Sequence, residues 1–274
     1  MPTHQKLNAL TNTPKARKSG LATHPTHKPP TMPANTSKAR KSGEPPTTGI
    51  VLGGGLSTRF AQSSQTNQSK LLIHLGGKLV LSRVADTLKM VCSELVLVVR
   101  PDQADDVPDL GIALNMHVVA DTAPYEGPLA GIHAGLAAST TPLSFVIAGD
   151  HPFVSRRLVS AMAAAAAVDG PDSLSAVVPR SGGTLNPLHA IYPREHWLPY
   201  FAHAMSEGDK SPRYVIEQAI AADYPPVTVF TDDDIEKVDP RKLSLMNINT
   251  QANLNEARKV LDSRRFTPRH HSLG

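Results

Sequence analysis

The stretch GIVLGGGLSTRF, residues 49–60, joins a short apolar run to three consecutive glycines and an arginine. The apolar run predicts a buried strand. Glycine has no Cβ, so it permits positive φ and lets a ligand come close to the backbone. A glycine-rich turn directly after a buried strand is suited to binding a phosphate. An ordinary tight turn is the commoner explanation when such a pattern stands alone.

The rest of the chain alternates apolar runs that predict strands with patterns that predict helices. Strands are predicted at 94–100, 116–121 and 143–150, with an acidic loop between the first two. A hairpin is predicted over 71–81 and a helix over 81–91. Later segments predict strands in SAVVPR, PLHAIYP and VTVF, and helices at 156–168, 194–205, 211–221 and 250–261. This alternation predicts an α/β fold, a three-layer Rossmann-like domain whose mainly parallel sheet is covered on both faces.

Several polar or glycine-rich positions come where predicted strands end. Gly53 to Gly55, Asp121 and Asp150 each follow an apolar run. Ligands of such sheets bind beyond the carboxyl ends of the strands, so these positions are predicted to share one edge. Asp150 suits Mg²⁺, which binds one or two carboxylates together with substrate phosphates. For both aspartates the alternative is a role in a turn or helix cap.

The glycines match neither familiar nucleotide fingerprint. A P-loop needs Gly-Lys-Ser/Thr, and Thr58 stands where a dinucleotide-binding motif needs its third glycine. The chain instead has Arg59 and, eleven residues later, Lys70. Backbone N–H groups with these two cations predict a triphosphate cradle, although each cation alone is more often a solvated surface charge.

His151 and His189 are interpreted as isolated, and no zinc motif is present in the sequence.

Charge and composition divide the chain into a tail and a domain. The first 48 residues hold eight Lys or Arg and one acidic residue, whereas the remainder holds 20 basic and 23 acidic residues. We predict a disordered basic tail at 1–47, a domain at 48–262 and a flexible C-terminal tail at 263–274.

With one cysteine, no signal segment and no apolar run of membrane-spanning length, a cytoplasmic protein without membrane contact is expected. An aromatic content of 4% argues against a stacking platform for single-stranded nucleic acid, and no specific nucleic-acid partner is expected.

Five segments, taken in order, resemble the motifs of molybdenum cofactor guanylyltransferases. They are LGGGLSTR with the following Lys70, VVADTAPYEGPLAGI, IAGDHPF, NPLHAIY and NINTQANL, and they extend from about residue 49 to residue 261. The resemblance implies a Rossmann-like nucleotidyltransferase that uses Mg²⁺ to transfer GMP from GTP to molybdopterin. It also implies transient contact with proteins that deliver or accept the cofactor.

The resemblance further assigns roles to individual residues. It implies GTP binding by Leu52, Gly53, Gly54, Lys70, Arg100, Asp121 and Asp150, catalysis by Lys70, Asp150 and Arg59, and metal binding by Asp150. Asn247 and Asn249 match an N-x-N-T motif, and Asn249 is implied as a second metal ligand. At Arg100 the family usually has another polar side chain.

This chain departs from the family pattern at two places. L-G-G-G stands where L-A-G-G is usual, and about five additional polar residues separate Arg59 from Lys70. Guanylyl enzymes of the family carry glycine at the position of Gly54, whereas the cytidylyl enzymes carry alanine. The alternatives are cytidylyl transfer from CTP, a sugar-phosphate nucleotidyltransferase, a dinucleotide-dependent oxidoreductase and a binding protein without activity.

We predict that deletion of residues 1–47 changes the kcat of nucleotidyl transfer by no more than about twofold, because this segment precedes the first strand and lacks apolar periodicity. Steady-state kinetics of the full and shortened chains test this. A large loss of kcat in a shortened chain with unchanged circular dichroism would show that the tail contributes to the site.

Overall fold

A computed structural model of the chain describes residues 45–54, 69–103, 105–121, 127–170, 173–209 and 211–265. Gly55, Arg59, residues 1–44 and residues 266–274 lie outside these ranges, so the predictions made for them remain predictions. Thr47, assigned to the N-terminal tail, is instead the buried first residue of a strand, and residues 263–265, assigned to the C-terminal tail, belong to the last helix.

Strand β1 (Thr47–Leu52) lies in the middle of an eight-stranded sheet, between β4 (Glu94–Val99) and β6 (Leu143–Ala148). Both neighbours run parallel to β1. The other strands are β5 (His117–Ala120), β7 (Ala176–Ser181), β8 (Thr184–Leu185), β9 (His189–Pro193) and β10 (Val227–Phe230), and the order is β10-β7-β9-β6-β1-β4-β5 with β8 beside β7. Strand β9 is antiparallel to β6 and β7, and β8 is antiparallel to β7. A separate hairpin pairs β2 (His74–Leu75) with β3 (Lys78–Leu79).

Helices cover both faces of this sheet. They are α1 (Val80–Leu88), α2 (Val107–Ala113), α3 (Pro128–Ala138), α4 (Arg156–Ala166), α5 (Arg194–Ser206), α6 (Pro212–Ala222), α7 (Asp232–Val238) and α8 (Gln251–Arg265). Apolar residues of α1, α2, α4, α7 and α8 pack on one face, and those of α3, α5 and α6 pack on the other. The predicted three-layer α/β fold with a mainly parallel sheet is therefore confirmed. No helix in the described ranges combines the length and apolarity needed to cross a bilayer.

The alternation of β1 side chains explains why two cores form. Val51 belongs to the cluster that includes Phe145, whereas its neighbour Ile50 belongs to the cluster that includes Tyr192 and Trp197. Successive side chains of a strand point to opposite faces, so a continuous apolar strand needs cover on both.

Hydroxyl side chains mark where two of the helices begin. Ser155 accepts a hydrogen bond from the backbone N–H of Leu158, and Ser211 accepts one from that of Tyr214. These bonds satisfy N–H groups that have no partner within the helix. Ser155 directly precedes the segment 156–168, for which the sequence predicts a helix.

Two helices were not expected from the sequence. The predicted acidic loop after β4 contains α2, which packs so closely on β4 that a Cβ at Gly111 would come 2.4 Å from Leu97 Cδ2. Helix α7 begins with a capping box in which Thr231 and Asp234 exchange hydrogen bonds. Each helix has seven residues, which is too short for a clear apolar period.

Backbone hydrogen bonds continue beyond the ends of the strands. Gly53 N donates to Val98 O at 2.7 Å, Gly149 N to Leu52 O at 2.9 Å and Asp121 N to Val99 O at 2.9 Å. The ends of β1, β4, β5 and β6 are thereby held side by side. The predicted common edge is confirmed for Gly53, Asp121 and the segment that leads to Asp150.

Candidate nucleotide-binding site

A cavity of about 1250 Å³ opens at the carboxyl edge of the sheet. The predicted site residues that line it are Leu52, Gly53, Gly54, Lys70, Arg100, Asp121, Asp150, Asn247 and Asn249. Arg59 lies outside the described residues. The cavity exceeds the volume of about 300–1,000 Å³ that is usual for one small-molecule site.

Lys70 connects the two predicted metal ligands. It lies in a short 3-10 helix, Lys70–Leu72, and its Nζ donates to Asp150 Oδ2 and, at 2.8 Å, to Asn249 Oδ1. The Lys70 and Asp150 side chains are 16% and 6% exposed, so this ion pair is largely shielded from water. Residues far apart in the chain thus bring one cation and two oxygens to the same point.

Asp150 and Asn249 have the chemistry of a site for a hard cation. Their oxygens converge on Lys70 Nζ, and Asp150 Oδ1 is buried without a hydrogen-bond partner among the described residues. Within the same residues no group of three or more His, Cys, Asp or Glu side chains converges as a metal cluster. Mg²⁺ suits such a small donor set because it keeps several waters and takes further oxygens from substrate phosphates.

The Asn-x-Asn segment is held by backbone contacts and by the start of α8. Ile248 N donates to Asp150 O at 3.0 Å. Asn253 Oδ1 accepts from Thr250 N at 3.1 Å, while Asn253 N donates to Thr250 Oγ1 at 3.2 Å. These bonds cap the first turn of α8 and orient the segment that carries Asn249.

Gly53 and Gly54 lie so close to the neighbouring strand that a side chain at either position would make tight contacts. Neither Gly53 nor Gly54 has a positive φ. A Cβ at Gly53 would lie 3.0 Å from Leu97 Cδ1, and one at Gly54 would lie 3.0 Å from Arg100 Cγ and 3.2 Å from Arg100 N. An added methyl at Gly54 would therefore press on Arg100 unless that residue shifted.

Arg100 and the glycine turn are linked by Gln103, a residue that the sequence analysis did not identify. Gln103 Oε1 accepts from Arg100 N at 3.2 Å, and its Nε2 donates to Gly53 O at 3.4 Å. The Nε of Arg100 lies 3.3 Å from Asp102 Oδ1, close enough for an ion pair but without hydrogen-bond alignment. No motif marks Gln103, because its role depends on strand ends that are distant in sequence.

Asp121 lies near Arg100 at the same edge. Partial burial raises the pKa of the Asp121 carboxyl above its ordinary value, and the Coulombic attraction of Arg100 opposes this shift. The neighbouring Asp102 raises the pKa further by like-charge repulsion. Arg100 thus favours the ionised form of Asp121 at the entrance of the cavity.

His151 and His189 were interpreted from the sequence as isolated, but their rings contact each other next to Asp150. Their ring centroids are 5.3 Å apart, and His151 Nδ1 lies 3.1 Å from Ser244 O. Burial lowers the pKa of His151 and, more strongly, that of His189, so both rings are neutral at pH 7. Sequence reasoning missed the pair because β6 and β9 are adjacent only in the sheet.

The comparisons with known proteins agree with one another on the family of this chain. Residues 49–223 match the model of the MobA-like NTP transferase domain. The molybdenum cofactor guanylyltransferase of Desulfosudis oleivorans is 29% identical over 80% of this chain and 98% of its own length. A probable enzyme of the same name from Natronomonas pharaonis is 32% identical over 59% of this chain and 75% of its own length. The crystal structure of molybdopterin-guanine dinucleotide biosynthesis protein A from Archaeoglobus fulgidus superposes with a TM-score of 0.62 at 22% identity, covering 79% of this chain and 99% of that one.

We predict that Asp150→Asn lowers kcat by about 100-fold or more, because an amide is a poor ligand for a hard cation and does not neutralise Lys70. Asp86→Asn is the matched control, since Asp86 pairs with Lys78 on the exposed surface at 2.8 Å. Mg²⁺-dependent pyrophosphate release measures both variants. Near-normal turnover by folded Asp150→Asn protein would show that Asp150 has no role in the reaction.

We predict that Lys70→Ala lowers kcat and raises the KM for GTP, each by about tenfold or more, because a shielded cation that faces the cavity is lost. Lys78→Ala is the control, since the Lys78 side chain is 61% exposed. Steady-state kinetics with varied GTP distinguish the two effects. Values of kcat and KM equal to those of Lys78→Ala would show that Lys70 acts neither in GTP binding nor in turnover.

Proposed function

Because the chain belongs to the MobA-like NTP transferase domain family, we propose that it transfers GMP from GTP to molybdopterin, with or without bound molybdenum. The products are molybdopterin guanine dinucleotide and pyrophosphate. The names of the relatives support this choice, since the Desulfosudis and Natronomonas proteins are both called guanylyltransferases. The size of the cavity supports a reaction between two substrates.

The observation that carries the proposal is the convergence of Lys70, Asp150 and Asn249 beside the glycine turn. Nucleotidyl transfer needs positive charge near the phosphates and oxygen ligands for a divalent cation. Both stand at one edge of the sheet, in the same cavity as Asp121 and Arg100.

The proposed reaction is a direct displacement at phosphorus. A terminal phosphate oxygen of molybdopterin attacks the α-phosphorus of GTP, a new P–O bond forms, and the bond between the α-phosphorus and the bridging oxygen to the β-phosphorus breaks. Pyrophosphate leaves with that electron pair. No covalent enzyme intermediate is needed, so the protein acts by positioning the substrates and neutralising their charge.

Lys70 has two roles in this scheme. Before the substrates bind, its ammonium group is paired with Asp150 and Asn249. When a triphosphate enters, phosphate oxygens compete for the same ammonium group and release the two side chains to bind a cation. Lys70 then stabilises the negative charge that develops on the leaving pyrophosphate.

Asp150 and Asn249 would hold Mg²⁺ through one carboxylate and one amide oxygen. When bound, Mg²⁺ polarises phosphate oxygens and neutralises part of their charge. Among the described residues Asp150 Oδ1 has no hydrogen-bond partner, which supports this assignment, because burial of a carboxylate oxygen is costly unless a cation or water meets it.

The proposal is tested by incubating the purified chain with GTP, molybdopterin and Mg²⁺ and measuring pyrophosphate and the dinucleotide product by chromatography. We expect equimolar products that depend on both substrates. Product formed with CTP in preference to GTP would support the cytidylyl alternative. The absence of any nucleotidyl product would overturn the proposal.

We predict that Gly54→Ala reduces the preference for GTP over CTP by about 1–3 kcal/mol, the usual size of a methyl-scale effect on discrimination. The physical reason is indirect, because the new Cβ would displace Arg100 from its place at the cavity wall. The ratio of kcat/KM in mixtures of the two nucleotides measures the change. A ratio equal to that of the wild type would exclude Gly54 as a determinant of base preference.

A further inference from the structure

His151, the residue directly after Asp150, is hydrogen-bonded to the segment that carries Asn249. We call residues 243–249 the asparagine segment. Ser244 lies in this segment, is fully buried, and its carbonyl oxygen is 3.1 Å from His151 Nδ1. A carbonyl oxygen can only accept, so Nδ1 carries the hydrogen and donates it. The bond joins the end of β6 to a part of the chain more than 90 residues away.

A second bond fixes the other end of the asparagine segment. Ile248 N donates to Asp150 O at 3.0 Å, directly before Asn249. Ser244 is held in turn by Asp239, whose Oδ2 accepts from Ser244 N at 2.8 Å. The segment is therefore attached to β6 at two points, one through Asp150 itself and one through His151.

The ring of His151 is fixed by packing as well as by this hydrogen bond. His189 lies against it with ring planes 51° apart, and Phe145 meets His189 edge-on at 5.2 Å between centroids. Both nitrogens of His189 are buried without a hydrogen-bond partner among the described residues, so His189 acts on His151 through packing. The Nε2 of His151 lies 3.7 Å from Asp150 Oδ1, which is too long for a direct hydrogen bond.

We propose that His151 is a positioning residue that keeps the asparagine segment against β6, so that Asn249 and Asp150 present their oxygens to one divalent cation. This inference rests on the proposed function. It adds a role for a residue that contacts neither nucleotide nor metal in the scheme above. Residues that orient metal ligands commonly change metal affinity by about 10–100-fold when they are replaced.

The test compares variants that differ in the bond to Ser244. In His151→Asn the side-chain amide nitrogen stands close to the position of Nδ1 and can donate to Ser244 O. His151→Leu has no donor, and in His151→Gln the amide lies farther along the side chain, near the position of Nε2. Met162→Ala, in the buried face of α4, is a control for general loss of stability.

Binding of Mn²⁺ in the presence of saturating GTP is followed by the electron paramagnetic resonance signal of free Mn²⁺, which needs no molybdopterin. We expect His151→Leu and His151→Gln to weaken Mn²⁺ binding by about tenfold or more, and His151→Asn by no more than about threefold. The Mg²⁺ concentration for half-maximal activity should rise in parallel, while the KM for GTP at saturating Mg²⁺ stays within about twofold. Met162→Ala should lower Tm without changing Mn²⁺ affinity.

Two results would overturn the inference, and a third concerns the proposed function. Leu and Gln variants that bind Mn²⁺ like the wild type would show that the bond to Ser244 does not position the ligands. Equal weakening in the Asn, Leu and Gln variants would also overturn it, since the donor at Nδ1 would then be irrelevant. If the wild type binds no Mn²⁺ with GTP, the proposed function fails before the variants are compared. Should the Leu variant not fold, the Gln variant supports or overturns the inference by the same criterion.

Discussion

The parallel pairing of β1 with strands on both sides is the constraint on which the site depends. Its register places Leu52 level with Val98 on one side and Ala148 on the other. Parallel strands end at the same edge, so the polar segments after them meet there. Because β1 is covered by apolar side chains on both faces, a shift of register would expose one core to water. The stability of the sheet thus fixes the geometry of the cavity.

The cavity contains opposite charges that balance one another until substrate arrives. Lys70 offsets Asp150, and Arg100 lies beside Asp121 and Asp102. Only the Lys70–Asp150 pair is largely shielded from water, where a charge without a partner is costly, so each of these two side chains neutralises the other. Under the proposed function, a triphosphate would pair with Lys70, and its divalent cation would pair with Asp150. Binding would therefore exchange one set of ionic contacts for another.

The fold class could be predicted from the sequence, as could the edge of the sheet at which the polar residues meet. Continuous apolar strands alternating with helical patterns are consistent with few folds other than a parallel sheet covered on both faces. The polar residues at the strand ends, Asp121 and Asp150, could be predicted to share an edge for the same reason. Lys70 was identified from the glycine turn and Arg59 that precede it, whereas Asn249 was identified only by the resemblance of its motif to that of a known family.

The contacts between these residues could not be predicted, because they form only when the strands and helices pack together. The meeting of Lys70 with Asn249 and the link through Gln103 join segments that are adjacent only when the sheet is assembled. His151 and His189 look isolated in the sequence because no spacing rule relates the end of β6 to β9. The close approach of Gly54 to Arg100 likewise depends on the distance between neighbouring strand ends. Local sequence patterns report which face of an element is buried, whereas contacts between elements depend on how they pack.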